Sequence, residues 1–305
     1  MLGISTCWWT QRSSQAENIV KDILDLGLRG VELEYRISPS VYEQLRHELG
    51  KSVKVLSVHN FFPRRGEKGG GDVFLLSSTD EEERMTAVKY TLSTMDYAGT
   101  LGARAVVLHL GRVDIGNPSE RLKGFYRAAR IESAEARAFV EEQKRLRRSR
   151  AQRNLDAVLR SLDRLNSEAG KRDLVLGIEN RYHLHEIPDF TEIGKILREF
   201  KGGHVRYWHD MGHAGVQENL GIFRQEELLA AYSNEMIGIH IHDVRGCDDH
   251  LAPGQGELDF GQMGAALRSA PIKILEVHAK VEREDLGRGI RFIEAVMAGE
   301  AEPSF

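Results

Sequence analysis

Short apolar runs alternate with amphipathic stretches along the whole chain. Eight runs are rich in Val, Ile and Leu, and polar residues follow each of them; they span residues 2–5, 30–35, 53–59, 103–111, 173–180, 204–210, 236–243 and 272–278. Continuous apolar runs of this kind are typical of parallel strands that are buried on both faces. Between the runs, stretches such as residues 14–28 repeat their apolar positions at helical spacing, with Ile19, Ile23 and Leu24 on one face.

This alternation predicts an α/β fold, a (β/α)8 TIM barrel with a long helical insertion, formed by residues 1–305 as a single domain. The length agrees, because such barrels typically need about 250 residues plus insertions. An open doubly wound sheet is the alternative. The first run lacks the Gly-rich turn that follows the first strand of dinucleotide-binding sheets, so the barrel is favoured.

One segment interrupts the alternation between the fourth and fifth runs. Residues 119–168 are predicted to form an extended helical insertion, because they are too many for one barrel helix and contain the basic run Lys144–Arg150. One interpretation is a solvated helix with ion pairs between positions i and i+4. The other is an arm that binds a partner or a phosphate. The solvated helix is the simpler interpretation, and we favour it.

The composition excludes several classes of protein. Hydrophobic residues make up 41% and charged residues 29%, so a folded core is expected rather than disorder. The net charge of -4 offers no overall basic surface for nucleic acid. Two cysteines cannot form a disulfide framework, and no apolar run reaches the roughly 20 residues of a membrane span. Because the first residues also lack a signal-peptide pattern, we expect a cytoplasmic protein without membrane association.

Metal-capable side chains stand at the ends of six predicted strands. They are His59, His109, Glu179, Asp210, His240 and Glu276. All strands of a parallel barrel open towards one mouth, so these six side chains are predicted to converge there. A single histidine at a strand end is more often part of a core, but six ligand-type residues in phase indicate a metal site.

Two loop motifs strengthen this prediction. The motif "HDMGH" places Asp210 and His213 three positions apart, so that one turn directs both at one centre. The motif "DDHLAPGQG" holds Asp248 and His250 two apart, followed by glycines that permit a tight return of the chain. Carboxylates and imidazoles without thiolates suit Zn, Mn, Co or Mg. We therefore expect a divalent metal cofactor of one to three ions.

With these residues in place, the chain resembles the xylose-isomerase-like TIM barrel superfamily. The similarity lies in the strand-end residues and in the motifs "HDMGH", "HIHD" and "DDHLAPGQGELDF", and it covers almost the whole chain apart from the helical insertion. That superfamily includes sugar and sugar-phosphate isomerases and epimerases, inosose dehydratases, and apurinic endonucleases of the endonuclease IV type. The motifs are specific for the superfamily and do not select one activity.

The resemblance implies a different set of ligands in each branch. In the epimerase branch, Glu179, Asp210, His240 and Glu276 would hold one catalytic metal ion, the two glutamates would be the catalytic acid and base, and His213 would lie near the substrate. In the endonuclease branch, a trinuclear zinc cluster would use nine positions: His59, His109, Glu179, Asp210, His213, His240, Asp248, His250 and Glu276.

Two functional hypotheses follow. The favoured one is a metal-dependent sugar or sugar-phosphate isomerase or epimerase, which moves a proton next to a carbonyl through an enediolate. The alternative is a zinc-dependent apurinic endonuclease. It would have nucleic acid as its partner and would need basic and wedge-forming residues, such as those of the loop Phe61–Arg65. The net negative charge favours the sugar enzyme.

Three further residues are candidates for binding the substrate. Trp8 either stacks on a sugar ring or seals the barrel mouth, and the sequence favours neither alternative. Glu34, at the end of the second run, would contact a hydroxyl group. Arg245 would bind a phosphate or carboxylate unless it forms a surface ion pair. The expected partner is a small sugar or sugar phosphate. A homo-oligomer is also compatible with the sequence, with the long helix as a candidate interface.

Overall fold

The computed structural model describes residues 1–10, 12, 16–66 and 70–300. Within these ranges the strands are β1 (Leu2–Ser5), β2 (Gly30–Leu33), β3 (Lys54–His59), β4 (Ala105–Leu108), β5 (Gly111–Arg112), β6 (Val175–Glu179), β7 (Glu186–Ile187), β8 (Val205–Asp210), β9 (Met236–Ile241), β10 (Asp243–Arg245), β11 (Asp248–Leu251) and β12 (Ile272–Leu275). The helices are α1 (Cys7–Thr10), α2 (Ala16–Asp25), α3 (Pro39–Leu45), α4 (Glu81–Thr100), α5 (Ser119–Arg127), α6 (Ala134–Gly170), α7 (Phe190–Glu199), α8 (Met211–Asn219), α9 (Gln225–Tyr232), α10 (Gly264–Ser269) and α11 (Arg283–Ala298), with a 3-10 turn at Ser233–Glu235.

Eight parallel strands close into a barrel in the order β1-β12-β9-β8-β6-β4-β3-β2. The prediction of a (β/α)8 barrel is therefore confirmed. The other four strands form two small antiparallel sheets, β5 with β7 and β10 with β11. The second of these sheets is a hairpin that follows β9 and carries the motif that contains Asp248 and His250. In the described part of the chain, no helix is both long and apolar enough to cross a membrane.

The barrel interior is filled by side chains at alternate strand positions. A buried cluster joins residues from strands that are not neighbours, among them Leu56, Ala105, Val107, Trp208, Ile272 and Ile274. Trp208 occupies the space beside glycines on both adjacent strands: a Cβ atom on Gly177 would lie 2.9 Å from its ring, and one on Gly238 would overlap the ring. Because successive side chains alternate between faces, the next inward positions are Glu179, Asp210 and His240. The packed interior thus forms the floor beneath the predicted ligands.

The insertion contains a long helix that packs with a buried apolar face and is anchored further by one buried arginine. The predicted segment contains α5 and nearly all of α6, which has 37 residues. Arg147 is 3% exposed and donates to both carboxylate oxygens of Glu192 at 2.9 and 2.7 Å and to Asp189 at 2.7 Å. The solvated-helix interpretation holds for the exposed Arg148 and Arg150 but is wrong for Arg147. This residue fixes α6 against the first turn of α7.

Replacing Gly238 by Ala is expected to lower the free energy of unfolding by about 1–3 kcal/mol, because the added Cβ overpacks the barrel against Trp208. Gly99 is the matched control, since it lies in α4 with open space around its Cβ position. Gly99→Ala should leave stability unchanged or raise it by about 0.5–1 kcal/mol. Urea unfolding followed by circular dichroism measures both values, and equal losses in the two variants would contradict a tightly filled interior.

Candidate metal centre

Four ligand-type side chains converge at the C-terminal end of the barrel. Glu179, Asp210, His240 and Glu276 each place one ligand atom within 4.8 Å of those of the other three. His240 Nδ1 lies 2.7 Å from Glu179 Oε1, 3.0 Å from Glu276 Oε2 and 3.4 Å from Asp210 Oδ2. All four residues are buried, with Glu276 the most exposed at 8%. The structure therefore brings together side chains that are 97 positions apart at their extremes, Glu179 and Glu276.

The electrostatics of this group fit a divalent cation. A fourth carboxylate, Glu32, approaches the other ring nitrogen, with His240 Nε2 at 3.1 Å from its Oε1. Burial alone would lower the pKa of His240, but Glu276 and Glu32 raise it well above its ordinary value. Buried negative charge thus accumulates around one imidazole and requires a positive charge in compensation. Three carboxylates and one imidazole are ligands that Mn, Zn and Mg ions accept.

Sequence reasoning missed Glu32 and chose Glu34. Glu32 is fully buried and accepts a hydrogen bond from Ser57 Oγ at 2.7 Å. Burial raises its pKa, although His240 opposes the shift. Strand alternation could have identified Glu32, because it lies two residues after Gly30 and therefore on the inward face of the same buried strand. Glu34 instead accepts from Thr10 Oγ1 at 2.6 Å, and burial raises its pKa to about 7.

Asp210 and His213 are positioned by the start of α8. Asp210 caps this helix, because its Oδ1 accepts from the backbone N–H of His213 at 2.6 Å. Its Oδ2 remains directed at His240. The His213 ring approaches the carbonyl of Asn180 with Nδ1 at 3.2 Å and Asp249 with Nε2 at 3.9 Å. The spacing in "HDMGH" therefore places both residues at the barrel mouth, but His213 lies in a neighbouring group of ligand atoms.

His242 links the central group to the hairpin of β10 and β11. Its Nδ1 accepts from the backbone N–H of His250 at 2.9 Å, so the ring proton must reside on Nε2. Nε2 then donates to Asp210 Oδ1 at 3.0 Å. The ring also stacks on His250 with 4.1 Å between centroids, and a side chain at Gly212 would overlap it. His242 thereby orients a predicted ligand without belonging to the central group of four.

The hairpin presents Asp249 rather than Asp248. His250 adopts a φ of 56°, which breaks the strand alternation and places Asp249 Oδ2 3.1 Å from His250 Nδ1. His213, Asp249 and His250 form a second group of ligand atoms. Asp248 is exposed, pairs with Lys280 and enters none of the groups found among the described residues. His250 Nδ1 is buried, and the Asp249 carboxylate lies beside it.

A further group consists of His59, His109 and Glu179. Glu179 Oε2 lies 2.9 Å from His109 Nε2 and 3.9 Å from His59 Nε2. Burial and the neighbouring His109 lower the pKa of His59 to about 3, so its ring is neutral. Asp72 accepts from His109 Nδ1 at 3.1 Å on the far side of the ring. Asp72 gave no sequence signal, because it follows β3 in a Gly-rich loop.

Trp8 and Arg245 lie outside these ligand groups. Trp8 is 3% exposed, donates from Nε1 to the Val281 carbonyl at 2.8 Å and is covered by the Arg12 guanidinium. This burial supports the interpretation that Trp8 seals the barrel. Arg245 is exposed in the hairpin and donates to the Gln255 carbonyl.

Asp243 fastens the loop that follows the hairpin. Its Oδ2 accepts from the backbone N–H groups of Gly254 at 2.9 Å and Gly256 at 2.7 Å, and its Oδ1 accepts from those of Val244 and Leu258. A Cβ atom on Gly256 would overlap the Asp243 carboxylate and the Val244 carbonyl. The motif "GQG" is thus explained by close approach of the backbone to one buried carboxylate.

The sequence matches the family model described as "Xylose isomerase-like TIM barrel" over residues 20–296. The chain therefore belongs to the xylose isomerase-like TIM barrel family. No curated protein matches the sequence.

Several solved structures share the fold. A 3-keto-D-glucoside 4-epimerase from E. coli is 14% identical over 96% of this chain and 98% of that chain, with a TM-score of 0.67. A D-psicose 3-epimerase solved in the presence of D-fructose is 13% identical over 98% and 99%, with a TM-score of 0.68. The IOLI protein with a bound zinc atom is 14% identical over 99% of both chains, with a TM-score of 0.65. At these identities the likeness establishes the fold.

Asp243→Asn is expected to loosen the loop after β11, because one carboxylate oxygen becomes an NH2 group that faces backbone donors. Hydrogen bonds to a charged group contribute about 1.5–3 kcal/mol each, so amide exchange at residues 252–258 should accelerate more than tenfold. Asp248→Asn changes an exposed carboxylate of the same hairpin and should leave exchange unchanged. Hydrogen–deuterium exchange with mass spectrometry measures both, and equal exchange in the two variants would refute the role given to Asp243.

Proposed function

We propose that the protein is a metal-dependent sugar or sugar-phosphate isomerase or epimerase. The observation that carries the proposal is the convergence of Glu179, Asp210, His240 and Glu276, a cation-binding donor set that includes two glutamates for acid and base roles. Structures named as sugar epimerases share the fold over nearly their whole length, which supports the same class of reaction.

These four residues would hold the metal ion. When bound, a divalent ion supplies Lewis-acid polarisation of a substrate carbonyl and hydroxyl. The chain contributes three things of its own. The buried position excludes water, His242 orients Asp210, and His240 fills the corner between the carboxylates. The residues that retain some exposure, Glu276, His213, His250 and His109, mark the side from which a substrate approaches.

The two glutamates have different surroundings, and this divides their roles. Glu179 is 1% exposed and accepts from His240, Arg181 and His109. Burial raises its pKa, but His109 and His240 outweigh this and hold the pKa well below the ordinary value. Glu276 is 8% exposed and contacts fewer donors. Burial raises its pKa, but His240 and His250 outweigh this and lower it too, so exposure and the number of donors are what distinguish the two glutamates. We therefore assign to Glu276 the removal of the proton from the carbon next to the carbonyl.

The electron pair of the broken C–H bond then forms the enediolate, and a proton returns to carbon to complete the reaction. In an epimerase the returning proton comes from the opposite face, and we assign its delivery to Glu179, which must first take up a proton. In an isomerase it is delivered to the adjacent carbon. The reverse reaction exchanges the two roles. Measurement of proton exchange over a panel of ketoses and ketose phosphates identifies the preferred sugar and shows whether it is phosphorylated.

The apurinic endonuclease remains the second candidate because the described residues form further ligand groups beside the central one. His59 with His109, and His213 with Asp249 and His250, offer donors for further ions. The loop expected to contact DNA argues against this function. Phe61 is 1% exposed and Phe62 is fully buried, edge-on to Tyr42 and Tyr97, so neither ring is available as a wedge. Nucleic acid is therefore a partner only under this second candidate.

Glu276→Gln is expected to slow the exchange of substrate protons into deuterated water by about 10²–10⁴-fold, since a general base contributes that much. The measurement is NMR-detected exchange over a panel of ketoses and ketose phosphates. Glu282→Gln is the matched control, because that carboxylate is largely exposed and lies outside the ligand groups. Incision of abasic-site DNA that Glu276→Gln abolishes, with no exchange from any sugar, would replace this proposal by the endonuclease.

Removal of the metal with a chelator should abolish exchange, and Mn, Co, Zn or Mg salts should restore it. His242→Ala should weaken metal affinity by about 10–100-fold, the usual effect of losing a residue that orients a ligand. His47→Ala, at an exposed histidine, should leave affinity unchanged. Isothermal titration of the chelator-treated variants gives the affinities. Full activity after complete chelation would refute metal dependence.

A further inference from the structure

The group formed by His59, His109 and Glu179 has the donor atoms that a second metal site needs. Two imidazole nitrogens approach Glu179 Oε2, and Asp72 lies behind the His109 ring with its carboxylate 3.1 Å from Nδ1. A carboxylate that orients a histidine in this way is a common companion of metal-ligating imidazoles. On donor atoms alone, this corner would accept an ion beside the central one.

A guanidinium group already contacts the same oxygen. Arg181 Nη1 donates to Glu179 Oε2 at 2.8 Å. Arg181 is 5% exposed, and its Nη2 donates to Glu186 at 2.9 Å and to Asp72 at 3.3 Å. Its backbone carbonyl accepts from Gln217 Nε2 at 2.6 Å. Three carboxylates and a backbone contact therefore hold the arginine in place, and it cannot swing away without leaving buried charges unpaired.

The two oxygens of Glu179 consequently face different surroundings. Oε1 points to His240 and the central group, whereas Oε2 accepts from Arg181 and His109. An arginine does not lose its proton in proteins, so its positive charge is permanent. An ion on Oε2 would share that oxygen with a fixed cation in a buried, weakly screened place. A metal ion on Oε2 would therefore be repelled strongly by the Arg181 guanidinium. An ion on Oε1 would not share its oxygen with that guanidinium.

We propose that Arg181 takes the place of a second metal ion at the corner formed by His59, His109 and Glu179. The inference rests on the proposed function, because it presupposes an ion bound by Glu179 Oε1, Asp210, His240 and Glu276. His59 and His109 would then form hydrogen bonds at the barrel mouth and would not coordinate a metal ion. Arg181 is thus a positioning residue that limits how many ions Glu179 binds.

The test begins with the unmodified chain, dialysed against excess Zn²⁺ and crystallised. Anomalous scattering at the zinc edge locates each ion, and mass spectrometry counts the ions per chain. We expect zinc among Glu179, Asp210, His240 and Glu276 and none within coordinating distance of His59 and His109. Zinc at both places would overturn this inference and leave the proposed function intact. No zinc at the central group would overturn both.

Variants then test the cause. Arg181→Met removes the charge and keeps much of the bulk, so it should bind one zinc ion more per chain. The added ion should disappear again when His59→Ala is combined with it. Arg181→Lys retains a cation and should show no gain. A folded Arg181→Met protein without an added ion would refute the role of the charge. If that variant does not fold, the zinc positions in the unmodified chain and an unchanged zinc count in His59→Ala decide the matter.

Discussion

The accumulation of buried carboxylates around His240 is the constraint on which the rest of the site depends. Glu32, Glu179, Asp210 and Glu276 all approach one imidazole in a space that water barely reaches. Such an arrangement is costly unless a positive charge compensates it. Each neighbouring feature either supplies positive charge, as Arg181 does, or holds a carboxylate in its orientation, as Ser57 and His242 do.

The barrel holds these carboxylates close together in spite of their mutual repulsion. Trp208, fitted between two glycines, closes the interior directly below the ligands, so the strand ends cannot collapse onto one another. Each ligand then stands at the last inward position of its own strand or just beyond it. The hairpin of β10 and β11, held in place by Asp243, adds Asp249 and His250, which form a second group of donors with His213 of α8. Rigid strands thus position the acids, and one loop completes the mouth.

The barrel and the convergence of polar strand ends could be predicted from the sequence because both depend on short-range patterns, whereas the choice of four residues as one group came from the resemblance to the superfamily. Alternating runs define the strands, and a polar residue at the end of an apolar run identifies Glu179, Asp210 or His240. The remaining features depend on contacts that periodicity does not encode. Asp249 replaces Asp248 because His250 has a left-handed backbone. Arg147 is buried by partners on another helix, and Asp72 reaches His109 from a distant loop. Glu32 was within reach of the pattern, since it shares a face with Gly30.

Glu179, Asp210, His240 and Glu276 are proposed to bind one divalent ion together. Calorimetric titration of Mn²⁺ into chelator-treated protein tests it most directly, with Asp210→Asn as the altered chain and the exposed Asp248→Asn as its control. The unmodified chain should bind Mn²⁺ saturably, Asp248→Asn should retain this binding, and Asp210→Asn should weaken or lose it. Unaltered Mn²⁺ affinity in Asp210→Asn, or no binding by the unmodified chain, would contradict the proposal.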